Sequence, residues 1–194
     1  MVPLLFLLAA PPLADAFHAG DWRRAETLAR AELAQAADGL ARAAALNNLA
    51  SARLPQGQLS EGEALLREAL ALAEAASDGA VTGKILSNLG LALAWRGELA
   101  RAEPVLRRAA WLNQAAGSNA QLALDQHNLG VLLRYDGRAN EARQRLEAAE
   151  ALWRDVTPAM LETQIALAML DADASRFGPA ADRLERARAA AHQA

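Results

Sequence analysis

The feature that most constrains the fold is an internal repeat with a period of 40 residues. A short polar-apolar-small motif recurs three times, as Asn48-Leu49-Ala50, Asn88-Leu89-Gly90 and Asn128-Leu129-Gly130. A glycine follows each motif at a constant distance, at Gly57, Gly97 and Gly137. A fixed period of this length is typical of stacked supersecondary units, each of which buries its apolar face only against its neighbours.

Each copy has the pattern of two helices joined by a glycine turn. A small residue follows the glycine by five positions and a leucine follows by nine, giving Gly62 and Leu66, Ala102 and Leu106, Ala142 and Leu146. Small residues let two helix backbones approach closely, so we expect Ala50, Gly90 and Gly130 to face Gly62, Ala102 and Ala142. A fourth copy, two residues shorter, has Ser175 at the glycine position, followed by Ala180, Leu184 and Ala187.

The repeat predicts an all-α, right-handed superhelix of four to five helix pairs. First helices are expected at about 42–55, 82–96, 121–136 and 159–174. Second helices are expected at about 22–37, 60–76, 99–115, 139–154 and 178–191. Pro11 and Pro12 are predicted to break a partial helix before the first of these. No long linker occurs, so residues 17–194 are predicted to form one domain.

Composition supports this fold and excludes several function classes. Apolar residues make up 53% of the 194 residues and aromatic residues only 4%, and the formal net charge is −3. This charge balance argues against nucleic acid as a partner. The chain has no cysteine, and its three histidines lie far apart, without metal-ligand or catalytic spacing. The sequence therefore predicts a protein that is not an enzyme and that has no cofactor and no metal site.

The N-terminus has the pattern of a secretory signal. An apolar run over residues 3–13 is followed by Ala14-Asp15-Ala16, which predicts cleavage after Ala16 and a periplasmic or secreted protein. The run is too short to span a membrane as a helix. The alternative is a cytoplasmic protein in which these residues form a degenerate first helix packed on Leu28.

The repeated motifs resemble tetratricopeptide repeats. Leu46-Asn47-Asn48-Leu49-Ala50 and the segment 102–109 are most similar to the longer repeats of kinesin light chains and many bacterial proteins. The resemblance covers residues 17–194. It implies a non-enzymatic scaffold or adaptor that binds a protein or an extended peptide in the concave groove lined by the first helices. Self-association as a homodimer through an exposed solenoid end is the alternative function.

Recurring positions on the first helices form the candidate binding site. The predicted groove residues are Asn48, Lys84, Asn88, Trp95, His127, Asn128, Arg134 and Tyr135. The asparagines are predicted to hydrogen-bond a peptide backbone, or alternatively to join neighbouring first helices. Trp95 and Tyr135 are predicted anchors, and Lys84 and Arg134 would favour an acidic peptide. Trp22, Trp111 and Trp153 are expected to serve packing, and Arg143 is expected to be solvated.

Overall fold

The computed structural model describes residues 11–153 and 157–193, and these ranges contain helices and no strand. The helices are α1 (Pro11–His18), α2 (Trp22–Gln35), α3 (Gly39–Arg53), α4 (Leu59–Ala75), α5 (Gly79–Trp95), α6 (Leu99–Ala115), α7 (Asn119–Tyr135), α8 (Ala139–Leu152), α9 (Pro158–Asp173) and α10 (Phe177–Gln193). A short 3-10 turn, Leu54–Gln56, follows α3. The all-α prediction is therefore confirmed.

Consecutive helices pack as pairs within two compact units. The N-terminal unit ends at Ala116 and contains the pairs α1–α2, α3–α4 and α5–α6. The C-terminal unit begins at Gly117 and contains α7–α8 and α9–α10. Each pair also contacts the next pair of its own unit, as α4 contacts α5 and α8 contacts α9. The described residues thus form five pairs, which agrees with the predicted four to five.

Side-chain caps place the helix starts earlier than the periodicity predicts. The Asp38 carboxylate accepts a hydrogen bond from the Ala41 amide at 2.7 Å, and Asp78 accepts one from Val81 at 2.9 Å. Because each cap satisfies an otherwise unpaired amide of the first turn, α3 and α5 begin at Gly39 and Gly79. The predicted starts at 42 and 82 were therefore three residues late.

The turn inside each pair requires a left-handed residue. Gly57, Gly97 and Gly137 have φ angles of +79°, +79° and +77°. Ser175 occupies the same position in the fourth copy and adopts φ +58°. The backbone geometry thus explains why glycine recurs every 40 residues, since residues with a Cβ rarely adopt this conformation.

The second set of glycines lies where two helices cross. A Cβ added at Gly90 would be 2.5 Å from Cγ of Leu106, and one added at Gly130 would be 2.5 Å from Cγ of Leu146. At Gly130 it would also be 3.1 Å from the backbone oxygen of Ala142. The predicted close approach within the pair is confirmed. The group filling the space beside each glycine is mainly the leucine that follows the small residue.

Pro11 and Pro12 are the first described residues, and both belong to α1. In α1, Leu13 and Phe17 are buried in a cluster with Ala25, Ala29 and the partly buried Leu28. Residues 1–10 of the predicted signal lie outside the described residues, and cleavage after Ala16 stays a prediction.

Candidate functional site

Asn88 joins two neighbouring first helices of the N-terminal unit. Its Nδ2 atom donates to Asn47 Oδ1 at 2.9 Å and to Ser51 Oγ at 3.2 Å, and the side chain is buried. Both acceptors are on α3, so this amide holds α5 against α3. This arrangement matches the structural alternative for the repeated asparagine, since the amide protons are already donated within the fold.

The other two repeated asparagines are also buried. Asn48 donates from Nδ2 to Glu32 Oε2 on α2 at 3.0 Å. The Oδ1 atoms of Asn48 and Asn128 accept no hydrogen bond from the described residues. A buried amide oxygen without a donor is unfavourable, yet neither oxygen reaches the surface. The asparagines therefore contribute to packing between helices rather than to the solvent-exposed surface of their units.

Lys84 and Trp95 remain partly accessible on α5. They are half-buried, whereas Leu91, which lies between them on the same helical stripe, is buried. No carboxylate of the described residues forms an ion pair with Lys84. Along this predicted stripe of α5, the cation at one end and the aromatic side chain at the other are therefore partly accessible, whereas the residue between them is not.

His127 belongs to the interior of the C-terminal unit. Its Nδ1 atom lies 3.0 Å from Oγ1 of Thr163 on α9, and this hydroxyl donates to the Ala159 carbonyl at 2.9 Å. The Thr163 proton is thereby used, so the His127 Nδ1–H donates to the hydroxyl oxygen. Burial lowers the pKa of His127 from 6.5 to about 4. The imidazole is a neutral structural group between α7 and α9.

Tyr135 is the one exposed member of the predicted set, and Arg134 beside it is half-buried. Arg134 makes two hydrogen bonds to the Asp173 carboxylate, from Nε to Oδ2 at 2.7 Å and from Nη2 to Oδ1 at 3.2 Å. The same guanidinium lies 5.9 Å from the centroid of the Tyr135 ring, which is 70% exposed. This pairing holds the pKa of Asp173 below its ordinary value. Met169, also exposed, lies on α9 beside α7.

The sequence analysis missed a buried ion cluster in the C-terminal unit. Asp171 on α9 is buried and accepts from Arg143 at 2.7 Å and from Arg176 at 2.5 Å, while Arg183 Nε lies 3.6 Å away. The expectation that Arg143 is solvated was wrong, because this arginine reaches from α8 to α9. The available signal was register: Asp171 takes the position that leucine occupies at 93 and 133.

The tryptophans divide between packing and exposure. Trp22 packs on the α1–α2 cluster, with its ring centroid 6.5 Å from that of Phe17. Trp153 is partly buried and donates from Nε1 to Thr163 at 3.3 Å. Trp111 is 67% exposed on α6, so the prediction that it serves packing was wrong. Its counterparts at 71 and 151 are alanines, and nothing in the repeat pattern distinguishes an exposed tryptophan from a buried one.

The described residues contain no group of three or more histidine, aspartate or glutamate side chains placed to hold a metal ion. None of the helices in the described ranges combines the length and apolar character that a membrane crossing needs.

Comparison with known proteins identifies the repeat. A tetratricopeptide repeat family model matches residues 41–115, and no curated protein matches the chain. BtubC (BKLC) from P. vanneervenii is 21% identical, with a TM-score of 0.75 over 93% of this chain and 77% of that one. The apo form of RapI is 15% identical, with a TM-score of 0.77 over 93% and 68% of the two chains.

The long-repeat resemblance is supported by a further structure. The kinesin light chain repeats from Podosopora anserina are 19% identical, with a TM-score of 0.64 over 93% of this chain and 90% of that chain. At these identities the likeness concerns the fold alone. The matched segment, the left-handed turn in each copy and the close crossings at Gly90 and Gly130 agree: residues 41–115 are tetratricopeptide repeats, and the described residues share the fold of tetratricopeptide-repeat structures.

Proposed function

We propose that this chain is a non-enzymatic scaffold that binds a protein or an extended peptide through the exposed side of α7 and α9. The observation that carries the proposal is Tyr135. Large aromatic side chains are ordinarily withdrawn from water, and isolated exposed ones at fixed positions are typical anchors of protein interfaces. Tyr135 is exposed and yet lies beside a guanidinium that is itself fixed by two hydrogen bonds to Asp173.

The surroundings of Tyr135 suit a peptide with an apolar or aromatic residue. The Arg134–Asp173 pair compensates its own charge, so this part of the surface adds little net charge. Met169 supplies a flexible apolar side chain on the adjacent helix, and methionine adapts to partners of different shape. Because the Arg134 charge is paired with Asp173, this surface gives no support to the predicted preference for an acidic partner.

A non-catalytic role is favoured by the state of the ionisable groups. His127, the predicted groove residue with the chemistry of a base, is buried and bonded to Thr163, which is itself bonded to Trp153 and Ala159. The buried carboxylate of Asp171 is paired with arginines. Such groups stabilise helix packing and have no reacting atom beside them.

A displayed library of random peptides, selected on the immobilised protein, tests the proposal and needs no identified partner. Counter-selection on the Tyr135→Ala variant enriches peptides that depend on this ring. A selected peptide is then labelled, and its affinity is measured by fluorescence anisotropy. We expect Tyr135→Ala to weaken binding about tenfold to thirtyfold, which is the ordinary effect of losing an aromatic anchor.

Trp111→Ala is the matched control, because it removes an exposed aromatic of similar accessibility from α6. It should change the affinity less than about twofold. The proposal would be wrong if no selected peptide depended on Tyr135, or if both variants weakened binding equally while remaining folded.

A further inference from the structure

Glu162 is a half-buried carboxylate on α9 of the C-terminal unit. Within the described ranges, no lysine or arginine forms an ion pair with it, and burial raises its pKa above the ordinary value. Two other carboxylates of the unit differ in this respect. Asp171 is paired with Arg143 at 2.7 Å and Glu150 with Arg183 at 3.4 Å. Glu162 is therefore partly withdrawn from water without the arginine that compensates these two groups.

Glu162 shares one stripe of α9 with the residues that lie beside the proposed peptide site. Ala166, Met169 and Asp173 follow it at intervals of four, three and four residues, a spacing that places all four on one side of a helix. Met169 is exposed and Ala166 is small and buried. No long side chain of this stripe therefore separates the carboxylate from the exposed methionine.

The helices α7 and α9 run side by side in the same direction. At their C-terminal ends Arg134 bonds to Asp173, and nearer their N-termini His127 bonds to Thr163. Glu162 directly precedes Thr163, so it belongs to the N-terminal part of the side of α9 whose C-terminal part contains Met169 and Asp173. The carboxylate and the proposed aromatic anchor thus lie toward opposite ends of one surface.

The distance along this surface sets the spacing that a bound peptide would need. Seven residues separate Glu162 from Met169, which at about 1.5 Å per residue gives about 10 Å along the helix. An extended peptide rises about 3.3 Å per residue, so about three of its residues cover this distance. A peptide with an apolar residue against Tyr135 and Met169 therefore brings its third residue beyond that anchor close to Glu162.

We propose that Glu162 selects peptides that carry a lysine or an arginine about three residues from the apolar anchor. This inference rests on the proposed function and adds a charge requirement to it. A cationic side chain would supply the counter-ion that the fold leaves out, whereas an acidic one would place two like charges in a partly desolvated site. The corresponding repeat position in α5 is Lys84, so the charge at this position changes sign between the two units.

Selection of the displayed random library on the wild-type chain and on the Glu162→Lys variant tests this requirement. Only peptides that are lost on Tyr135→Ala are counted. We expect those from the wild-type chain to be enriched in lysine or arginine three residues from an apolar or aromatic residue. Those from Glu162→Lys should be enriched in aspartate or glutamate at the same distance, because the charge they meet is reversed.

Fluorescence anisotropy then measures the pair directly, with one selected peptide and its variant that has glutamine in place of the cationic residue. Glu162→Gln should weaken the cationic peptide about fivefold to tenfold and the neutral peptide less than about twofold. Glu185→Gln is the matched control, since it removes one negative charge from an exposed position on α10. It should change either affinity less than about twofold.

The outcomes separate this inference from the proposed function. If peptides depend on Tyr135 but show no enrichment in lysine or arginine, or if Glu162→Gln and Glu185→Gln have equal effects, the charge requirement is wrong and the peptide site stands. If Glu162→Gln lowers Tm and leaves the affinity of the folded protein intact, the carboxylate is a structural group and the inference is overturned. If no selected peptide depends on Tyr135, both proposals fail.

Discussion

Gly130→Ala tests the close crossing of α7 and α8. The added Cβ would lie 2.5 Å from Cγ and 2.8 Å from Cδ2 of Leu146, and 3.1 Å from the backbone oxygen of Ala142. Leu146 is fully buried and the oxygen is part of α8, so neither group can rotate away freely. Overpacking of this kind costs about 1–3 kcal/mol. The higher helix propensity of alanine offsets about 1 kcal/mol, which leaves a net loss of up to about 2 kcal/mol.

Gly178→Ala is the matched substitution in the same unit. A Cβ there meets nothing within 4 Å, and the glycine lies in the first turn of α10. Alanine should therefore stabilise by about 0.5 kcal/mol through helix propensity alone. In calorimetry, Gly130→Ala should lower Tm by up to about 8 °C, and Gly178→Ala should raise it slightly. The packing argument is refuted if Gly130→Ala melts at or above the temperature of Gly178→Ala.

Three further predictions concern charge and the N-terminus. Asp171→Ala should destabilise by about 3 kcal/mol in urea unfolding, because it leaves several arginines facing a buried site, whereas Asp173→Ala, at an exposed pair, should cost less than about 1 kcal/mol. The folded pKa of His127, about 4, lies below the ordinary 6.5, so the unfolded chain takes up a proton that the folded chain does not. The free energy of unfolding therefore does not depend on this group above pH 6.5, and it decreases as the pH falls from 6.5 toward 4, by up to about 3 kcal/mol. Because His127→Gln removes this protonation, the substitution should flatten the pH dependence of Tm between pH 7 and 5. We also propose that the native protein is exported and begins at Phe17, which intact-mass measurement decides; retention of residues 1–16 contradicts it. Cleavage removes Leu13 from its buried cluster, so a recombinant full chain should melt higher than one starting at Phe17.

The architecture could be predicted from the sequence because its determinants are local and repeated. Left-handed turns need glycine, and close crossings need small residues, so both leave a periodic trace that does not depend on distant contacts. Helix starts were less accurate, since the aspartates that punctuate the pattern at 38 and 78 are themselves the caps.

The candidate site was less predictable, because accessibility depends on how the pairs stack. Asn88 lies on the face that the core leucine does not use, and yet α3 covers this face and binds the amide. The exposure of Trp111 and the burial of Asp171 are likewise set by neighbouring helices. Only Tyr135 combines the predicted residue type with a large exposed surface, and it lies at the C-terminal end of its helix, where the neighbours leave it uncovered.

The central functional claim is that a partner binds on the exposed side of α7 and α9. Hydrogen–deuterium exchange of the full chain, measured with and without a saturating peptide from the library selection, tests this claim most directly. The account predicts slower exchange in the C-terminal halves of α7 and α9, around Tyr135 and Met169, and no change in α2 or α4. Protection confined to other helices, with α7 and α9 unaffected by a tightly bound peptide, would contradict it.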